Sequence, residues 1–100
     1  MKFQHPELEQ FYQRVMGLKV GGLPETEKPI FALMDAYGWF RVINGEQDEK
    51  LLEITNHLLS PELRPALRNW YLRHPQTNGN HAFIEFRDHL SALAGEKFGC

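Results

Sequence analysis

Two histidines and a glutamate near the carboxyl end of the chain have the spacing of metal ligands. His81, Glu85 and His89 recur at intervals of four residues, with Asp88 beside them, so a helix would place all three on one stripe. Imidazole and carboxylate groups one turn apart can share a zinc or iron ion. The same stripe faces away from the apolar side of the segment, so it would be polar even if it bound no metal. The H-E-x-x-H pattern of metalloproteases is also absent. We therefore predict no metal and no other cofactor, with His81, Glu85 and His89 as the candidate ligands if one is bound.

Asp35 is the second residue whose position could indicate chemistry. It lies within the apolar segment Pro29–Ile43, where a buried carboxylate is costly unless it is paired or solvated. A functional acid in a cleft would explain the position of Asp35, but a pairing with an arginine, or a place at an edge that reaches water, explains that position more simply.

Nucleophilic catalysis has little support, because the single cysteine, Cys100, is the last residue and is not expected to be held against a base. We predict that the protein is not an enzyme.

Three arginines, Arg64, Arg68 and Arg73, place positive charge on one predicted helix. Together with the helix before it, this segment has the order of a helix-turn-helix, the motif of many DNA-binding proteins. The turn lacks the usual glycine, and the preceding helix opens with acidic residues between positions 46 and 49, which would face phosphates unfavourably. A DNA-binding transcriptional regulator is therefore the alternative function rather than the preferred one.

A protein-binding surface fits more of the sequence. Leu72 interrupts the polar side of the same helix beside Arg64 and Arg68, and Trp39 needs a cover that a small bundle does not readily supply. Exposed apolar residues bordered by arginine are typical of protein–protein contacts. The predicted partner-binding residues are Trp39, Arg64, Arg68 and Leu72.

The segment Pro29–Ile43 is the element around which these residues should be arranged. Its apolar residues fall on nearly all sides of a helix, which predicts a central helix covered by its neighbours, with Leu33 and Met34 buried. Gly38 would mark either a close helix crossing or a break. A break would make residues 39–43 a strand before Asn44-Gly45, a hairpin pair, and we favour helix or irregular chain over that strand.

Four amphipathic helices are predicted around this segment. The first begins at Pro6, the third is capped by Asn44 with Gln47 at the capping-box position, the fourth follows a short turn at 60–62, and the fifth runs from Asn80 to Gly95. Their predicted buried residues are Leu8, Phe11, Tyr12, Val15 and Met16; Leu51, Leu52, Ile54, Thr55, Leu58 and Leu59; Leu63, Ala66, Leu67, Trp70 and Tyr71; and Phe83, Phe86, Leu90, Leu93 and Ala94.

The length of 100 residues, with 42% hydrophobic and 24% charged residues, is that of one globular domain, residues 1–100. The formal charge of −2 gives no general attraction to nucleic acid or to an anionic membrane. No leader peptide or membrane span is expected, and one cysteine suits a reducing cytoplasm. We predict an all-α, compact bundle of about five helices, soluble and cytoplasmic.

The predicted role of the protein is to bind another protein as a small regulator or inhibitor, or as an accessory subunit. A small metal-dependent enzyme is the third hypothesis, and homodimerisation is left open.

Overall fold

Five α-helices and one short 3-10 turn make up the part of the chain that the computed structural model describes. That part comprises residues 2–18, 21–73 and 81–98, without the side chains of residues 81–83. No strand occurs among these residues, and the prediction of an all-α bundle of about five helices is confirmed. The helices are α1 (Pro6–Met16), α2 (Lys28–Asn44), α3 (Glu49–Leu58), α4 (Arg64–Arg73) and α5 (His81–Ala94), and the 3-10 turn at Glu25–Glu27 precedes α2.

Helix α2 runs without a break through Gly38, so the hypothesis of a strand over residues 39–43 is wrong. One side of the helix packs against α1, α3, α4 and the 3-10 turn. Leu33 and Met34 are buried there, as the sequence predicts. None of the described helices, including this one of 17 residues, is both long and apolar enough to cross a membrane.

The prediction that α2 is covered on all sides is not confirmed. Asp35, Trp39, Val42 and Ile43 are exposed, and together they leave an open strip along the helix. The neighbouring helices cover the face that carries Leu33, and the open strip lies away from it. Asp35 is therefore solvated by its position on this strip, which removes the cost that made it suspect in the sequence.

The start of α3 differs from the prediction, because Asn44 is the last residue of α2 rather than a cap. Gly45 follows it with a φ of 84°, in the left-handed region that glycine adopts without strain. Asp48 is the actual cap, since its side chain accepts a hydrogen bond from the backbone N–H of Lys50 at 3.0 Å. The Asn44 amide donates to the Asp48 carboxylate at 2.8 Å and so links the two helices.

Two leucines that were predicted to be buried are exposed. Leu52 on α3 is 65% exposed and Leu93 on α5 is 56% exposed. Leu52 lies about 100° around α3 from the buried Leu51, and Leu93 lies about 100° around α5 from the partly buried Ala94. The buried face of each helix is therefore narrower than the sequence predicts. The prediction for Phe83 concerns a side chain outside the described residues.

The segment after α5 folds back onto α4. Helix α5 ends before Gly95, which has a φ of 71°. The chain then reverses, and the Phe98 ring is buried and stacks on Tyr71 with 6.2 Å between ring centroids. The backbone N–H of Phe98 donates to the Ser91 hydroxyl at 3.2 Å. Phe98 is therefore part of the core.

Candidate functional site

The open strip on α2 is the most apolar exposed surface that the structure describes on one helix. Asp35, Gly38, Trp39 and Val42 follow an i, i+3, i+4, i+7 pattern and share one face. Val42 is 84% exposed and Trp39 is 54% exposed. Two large apolar side chains at this exposure, side by side, form a patch of the kind that binding surfaces use.

A groove of about 860 Å³ extends over this strip and is called the α2 groove here. Helix α1 contributes Phe11, whose ring stacks on Trp39 with 6.3 Å between centroids. Helix α5 contributes Phe86, whose ring stacks closely on Tyr37 at 3.9 Å. The groove therefore has an aromatic pair on each side, with Gly38 on the helix between them.

A second depression of about 490 Å³ adjoins the groove at the carboxyl end of α2. The two share Tyr37, Arg41, Glu46, Glu85 and Phe86. We call this second depression the acidic depression. Together the described linings of both depressions carry five carboxylates and one guanidinium, a formal charge of −4 when histidine is neutral. The carboxyl end of α2 adds the partial negative charge of the helix dipole.

Arg41 lies at the boundary between the two depressions. It contacts both Glu46, in the loop that follows α2, and Glu85 on α5. Its guanidinium donates to the Glu46 carboxylate at 2.6 Å and lies 3.6 Å from the Glu85 carboxylate. The hydrogen bond that Arg41 donates to Glu46 raises the pKa of Arg41 above its usual value. Burial raises the pKa of the neighbouring Tyr37 phenol. Arg41, the one lysine or arginine in the described linings, is thus already paired.

Gly38 is unusual because no contact within the described part of the chain requires a glycine there. A Cβ atom placed on it would meet no atom within 4 Å, apart from its chain neighbours and the backbone of its own helix turn. We expect the Gly38→Ala variant to be more stable by up to about 1 kcal/mol, since alanine is the better helix former. Urea denaturation of the two proteins would measure this difference. A destabilised variant would contradict the prediction and show that the fold itself uses the glycine.

The predicted partner-binding residues on α4 are partly engaged within the chain. Arg68 donates to both carboxylate oxygens of Glu96, at 3.1 and 3.2 Å, while Arg64 donates to the Leu59 carbonyl at 2.8 Å and lies 4.0 Å from Glu96. Leu72 is 60% exposed, as predicted. Of the four predicted residues only Trp39 lines the α2 groove, and no α4 residue lines either depression.

Two of the three candidate metal ligands, Glu85 and His89, have described side chains. Glu85 is exposed and paired with Arg41, and His89 is exposed and lines the acidic depression. The side chain of His81 and the whole of Cys100 lie outside the described residues. Within those residues, no group of three or more histidine, cysteine, aspartate or glutamate side chains has a metal-binding arrangement. The absence of a bound metal stays a prediction.

Sequence reasoning missed a cluster of His5, Glu53 and His57, residues to which it assigned no role. The Glu53 carboxylate lies 2.7 Å from the His5 Nδ1 atom and 3.5 Å from the His57 Nε2 atom. It also accepts hydrogen bonds from the backbone N–H groups of Gln4 and His5. The contacts with Gln4 and His5 join residues 49 and 48 positions apart, which no periodic pattern indicates. His57 follows Glu53 by four residues on α3, a spacing that the sequence does show.

The cluster around Glu53 attaches the segment before α1 to α3. The His5 side chain does not cap α1, so the carboxylate from α3 takes over part of that role at the positive end of the helix. Burial by itself would raise the pKa of Glu53, but the backbone N–H groups of Gln4 and His5 and the two imidazoles outweigh burial and lower it. The cluster lines neither depression, and we interpret it as structural.

Comparison with known proteins gives no match to a family model, to a curated protein or to a solved structure. The fold and the site define the chain as a small helical bundle with an apolar groove beside an acidic depression. Its function must therefore be argued from that geometry.

Proposed function

We propose that this protein is a small non-enzymatic module that binds another protein through the α2 groove. It would act as a regulator or inhibitor, or as an accessory subunit of a larger assembly, and we place it in the cytoplasm. The observation that carries the proposal is the exposure of Trp39 and Val42 on one face of α2, beside a glycine that the fold does not require.

The energetics of the strip favour binding. Removing apolar surface from water contributes about 25 cal/mol per Å², and Trp39 and Val42 offer such surface without any rearrangement of the core. Tryptophan is also the residue type that most often dominates the binding energy of protein interfaces. The stacking of Phe11 against Trp39 limits the freedom of the indole before binding, which reduces the entropy lost on association.

The chemistry of the groove favours binding over catalysis. Its described lining contains no serine, cysteine or histidine, so it offers no Ser–His or Cys–His pair for nucleophilic catalysis. The charged groups at the rim, Arg41, Glu46 and Glu85, are committed to one another. These features support a non-enzymatic role.

The alternative of a DNA-binding regulator has less support. Its positive residues on α4 are each paired with a carboxylate of the same chain: Arg68 and Arg64 with Glu96, and Arg73 with the buried Glu27. Paired arginines offer less net charge to phosphates, which supply most of the affinity for DNA. We keep Arg64, Arg68 and Leu72 in the proposal as a secondary contact surface for the protein partner.

Two matched variants test which surface is used. Val42→Glu and Leu72→Glu both place a carboxylate at an exposed apolar position, one in the α2 groove and one on α4. We expect Val42→Glu to weaken partner binding about 30-fold or more, because a charge in the centre of an interface is desolvated without a partner. Leu72→Glu should weaken binding only a few-fold. Calorimetric titration of a partner captured from the native host, repeated with each variant, gives both values.

The same titration separates the hypotheses. If Val42→Glu binds the partner as tightly as the unmodified chain, the α2 groove is not the working surface. If duplex DNA binds tightly at low salt, is released as salt rises, and ignores Val42→Glu, the regulator hypothesis replaces the proposal. Circular dichroism of each variant shows whether the helices are intact, and both substituted side chains lie outside the core.

A further inference from the structure

We propose that the segment of the partner that occupies the α2 groove is a basic amphipathic helix. Its apolar side chains would lie over Gly38 and Val42, and a lysine or arginine on its flank would enter the acidic depression. This inference rests on the proposed function and adds the chemistry of the occupant.

The dimensions of the strip suit a helix. From Asp35 to Val42 the strip covers two turns of α2, about 10 Å along the axis. An amphipathic helix presents apolar side chains at one-turn intervals, so two of them reach this length. Gly38 lacks a side chain and has open space above it, so the backbone of a crossing helix can come close at this point.

The charge of the site selects a basic helix. The described linings of the two depressions hold five of the chain's 13 acidic residues but only one of its 11 lysines and arginines. The side chains of Glu46, Glu49 and Glu85 are each at least 67% exposed, so they are accessible to a partner. Arg41 is already paired with two of them. Arg41 offsets only one of the two carboxylates that it contacts, so a lysine or arginine would meet a net negative charge there, whereas an acidic side chain would be repelled.

A second copy of this chain fits the groove less well. Its own α2 strip lies between Phe11 of α1 and Phe86 of α5. Two copies that meet through this face would bring the five carboxylates of each site's described linings to one interface, where like charges repel. A single helix without flanking helices fills the space between Phe11 and Phe86.

The test is a selection from displayed helical peptides of about 14 residues. Each peptide carries two leucines one turn apart, and its flanking positions are randomised equally among lysine, glutamate, glutamine and serine. The library is selected on the unmodified chain and counter-selected on Val42→Glu, so that retained peptides depend on the groove. We expect lysine to exceed glutamate severalfold at the flanks of the retained peptides.

A synthesised peptide from this selection allows a sharper comparison. Glu46→Gln with Glu85→Gln should weaken its binding about tenfold, while the control pair Glu9→Gln with Glu62→Gln, at exposed positions outside the described linings, should leave it unchanged. Gly38→Ala should weaken binding by a similar factor, because the added methyl group holds the peptide backbone away. Fluorescence anisotropy of the labelled peptide measures all of these affinities.

Each other outcome overturns the inference in a distinct way. Retained peptides that are neutral or acidic would refute the basic helix but leave binding through the α2 groove intact. A selection that yields no groove-dependent peptide would count against both proposals. If sedimentation shows that the unmodified chain is a dimer and Val42→Glu a monomer, the occupant is a second copy and the inference is wrong.

Discussion

Replacing Leu33 by alanine should cost about 2–5 kcal/mol of the free energy of unfolding. The Leu33 side chain has no exposed surface and lies on α2, the helix that contacts α1, α3 and α4. The substitution removes apolar contacts and leaves a cavity that the surrounding side chains fill only in part. For a domain with a total stability of about 5–15 kcal/mol, this loss is a large fraction of the whole.

Leu72→Ala provides the matched control, because it makes the same chemical change at a side chain that is 60% exposed. We expect it to change the free energy of unfolding by about 0.5 kcal/mol or less. Chemical denaturation of the three proteins measures both effects on one scale. If Leu33→Ala costs no more than Leu72→Ala, α2 does not organise the core.

Replacing Glu53 by glutamine should cost about 3 kcal/mol at neutral pH. The carboxylate accepts hydrogen bonds from the backbone N–H groups of Gln4 and His5 and contacts the rings of His5 and His57. Hydrogen bonds to a charged acceptor contribute about 1.5–3 kcal/mol each. Glutamine keeps the shape of the side chain but offers one neutral oxygen.

The cost of Glu53→Gln should depend on pH. The pKa of Glu53 is lowered in the folded chain, since its hydrogen-bond donors outweigh the burial that would raise it. A group with a lowered pKa in the folded state stabilises fully above its unfolded pKa, and this contribution is lost as the pH falls through the folded value. The unmodified chain should therefore lose its advantage over Glu53→Gln in acid, below the ordinary carboxyl pKa of 4.5.

Urea denaturation of both proteins at neutral pH and near pH 3 measures this change. Glu9→Gln, an exposed position on α1, serves as the control and should follow the unmodified chain at both pH values. A difference between Glu53→Gln and the unmodified chain that stays constant with pH would show that the charge of Glu53 does not hold the segment before α1.

The features that sequence predicted correctly are those with local causes. Pro6 begins α1 and Gly95 ends α5 because each has a backbone preference that acts within its own turn. Most buried residues of α1 and α4 follow from a periodic pattern on one helix. Local reasoning failed at Asn44, which was predicted to be the N-cap of α3. The helix α2 continues through Asn44 to the left-handed Gly45, and Asp48 is the N-cap of α3 instead.

The features that sequence could not predict depend on which surfaces meet. An apolar helix sequence predicts that its side chains will be buried. Which of those side chains remain exposed to solvent depends on where the other helices pack. Trp39 was therefore named as a binding residue, while Val42 and the aromatic walls of the groove were missed. The contacts of Glu53 with His5, and of Glu96 with Arg68, join residues 48 and 28 positions apart, and no pattern of spacing encodes them.

Helix α5 supplies one wall of the α2 groove, and this makes the proposed binding site conditional on the docking of that helix. Phe86 and Leu90 hold α5 in the core, and Phe98 on Tyr71 secures the segment that follows it. If α5 detaches, Phe86 and Glu85 leave with it and the groove no longer exists. By thermodynamic linkage, a ligand that binds only the docked form adds its binding free energy to the docking of α5. The partner would thus help to hold together the surface that recognises it.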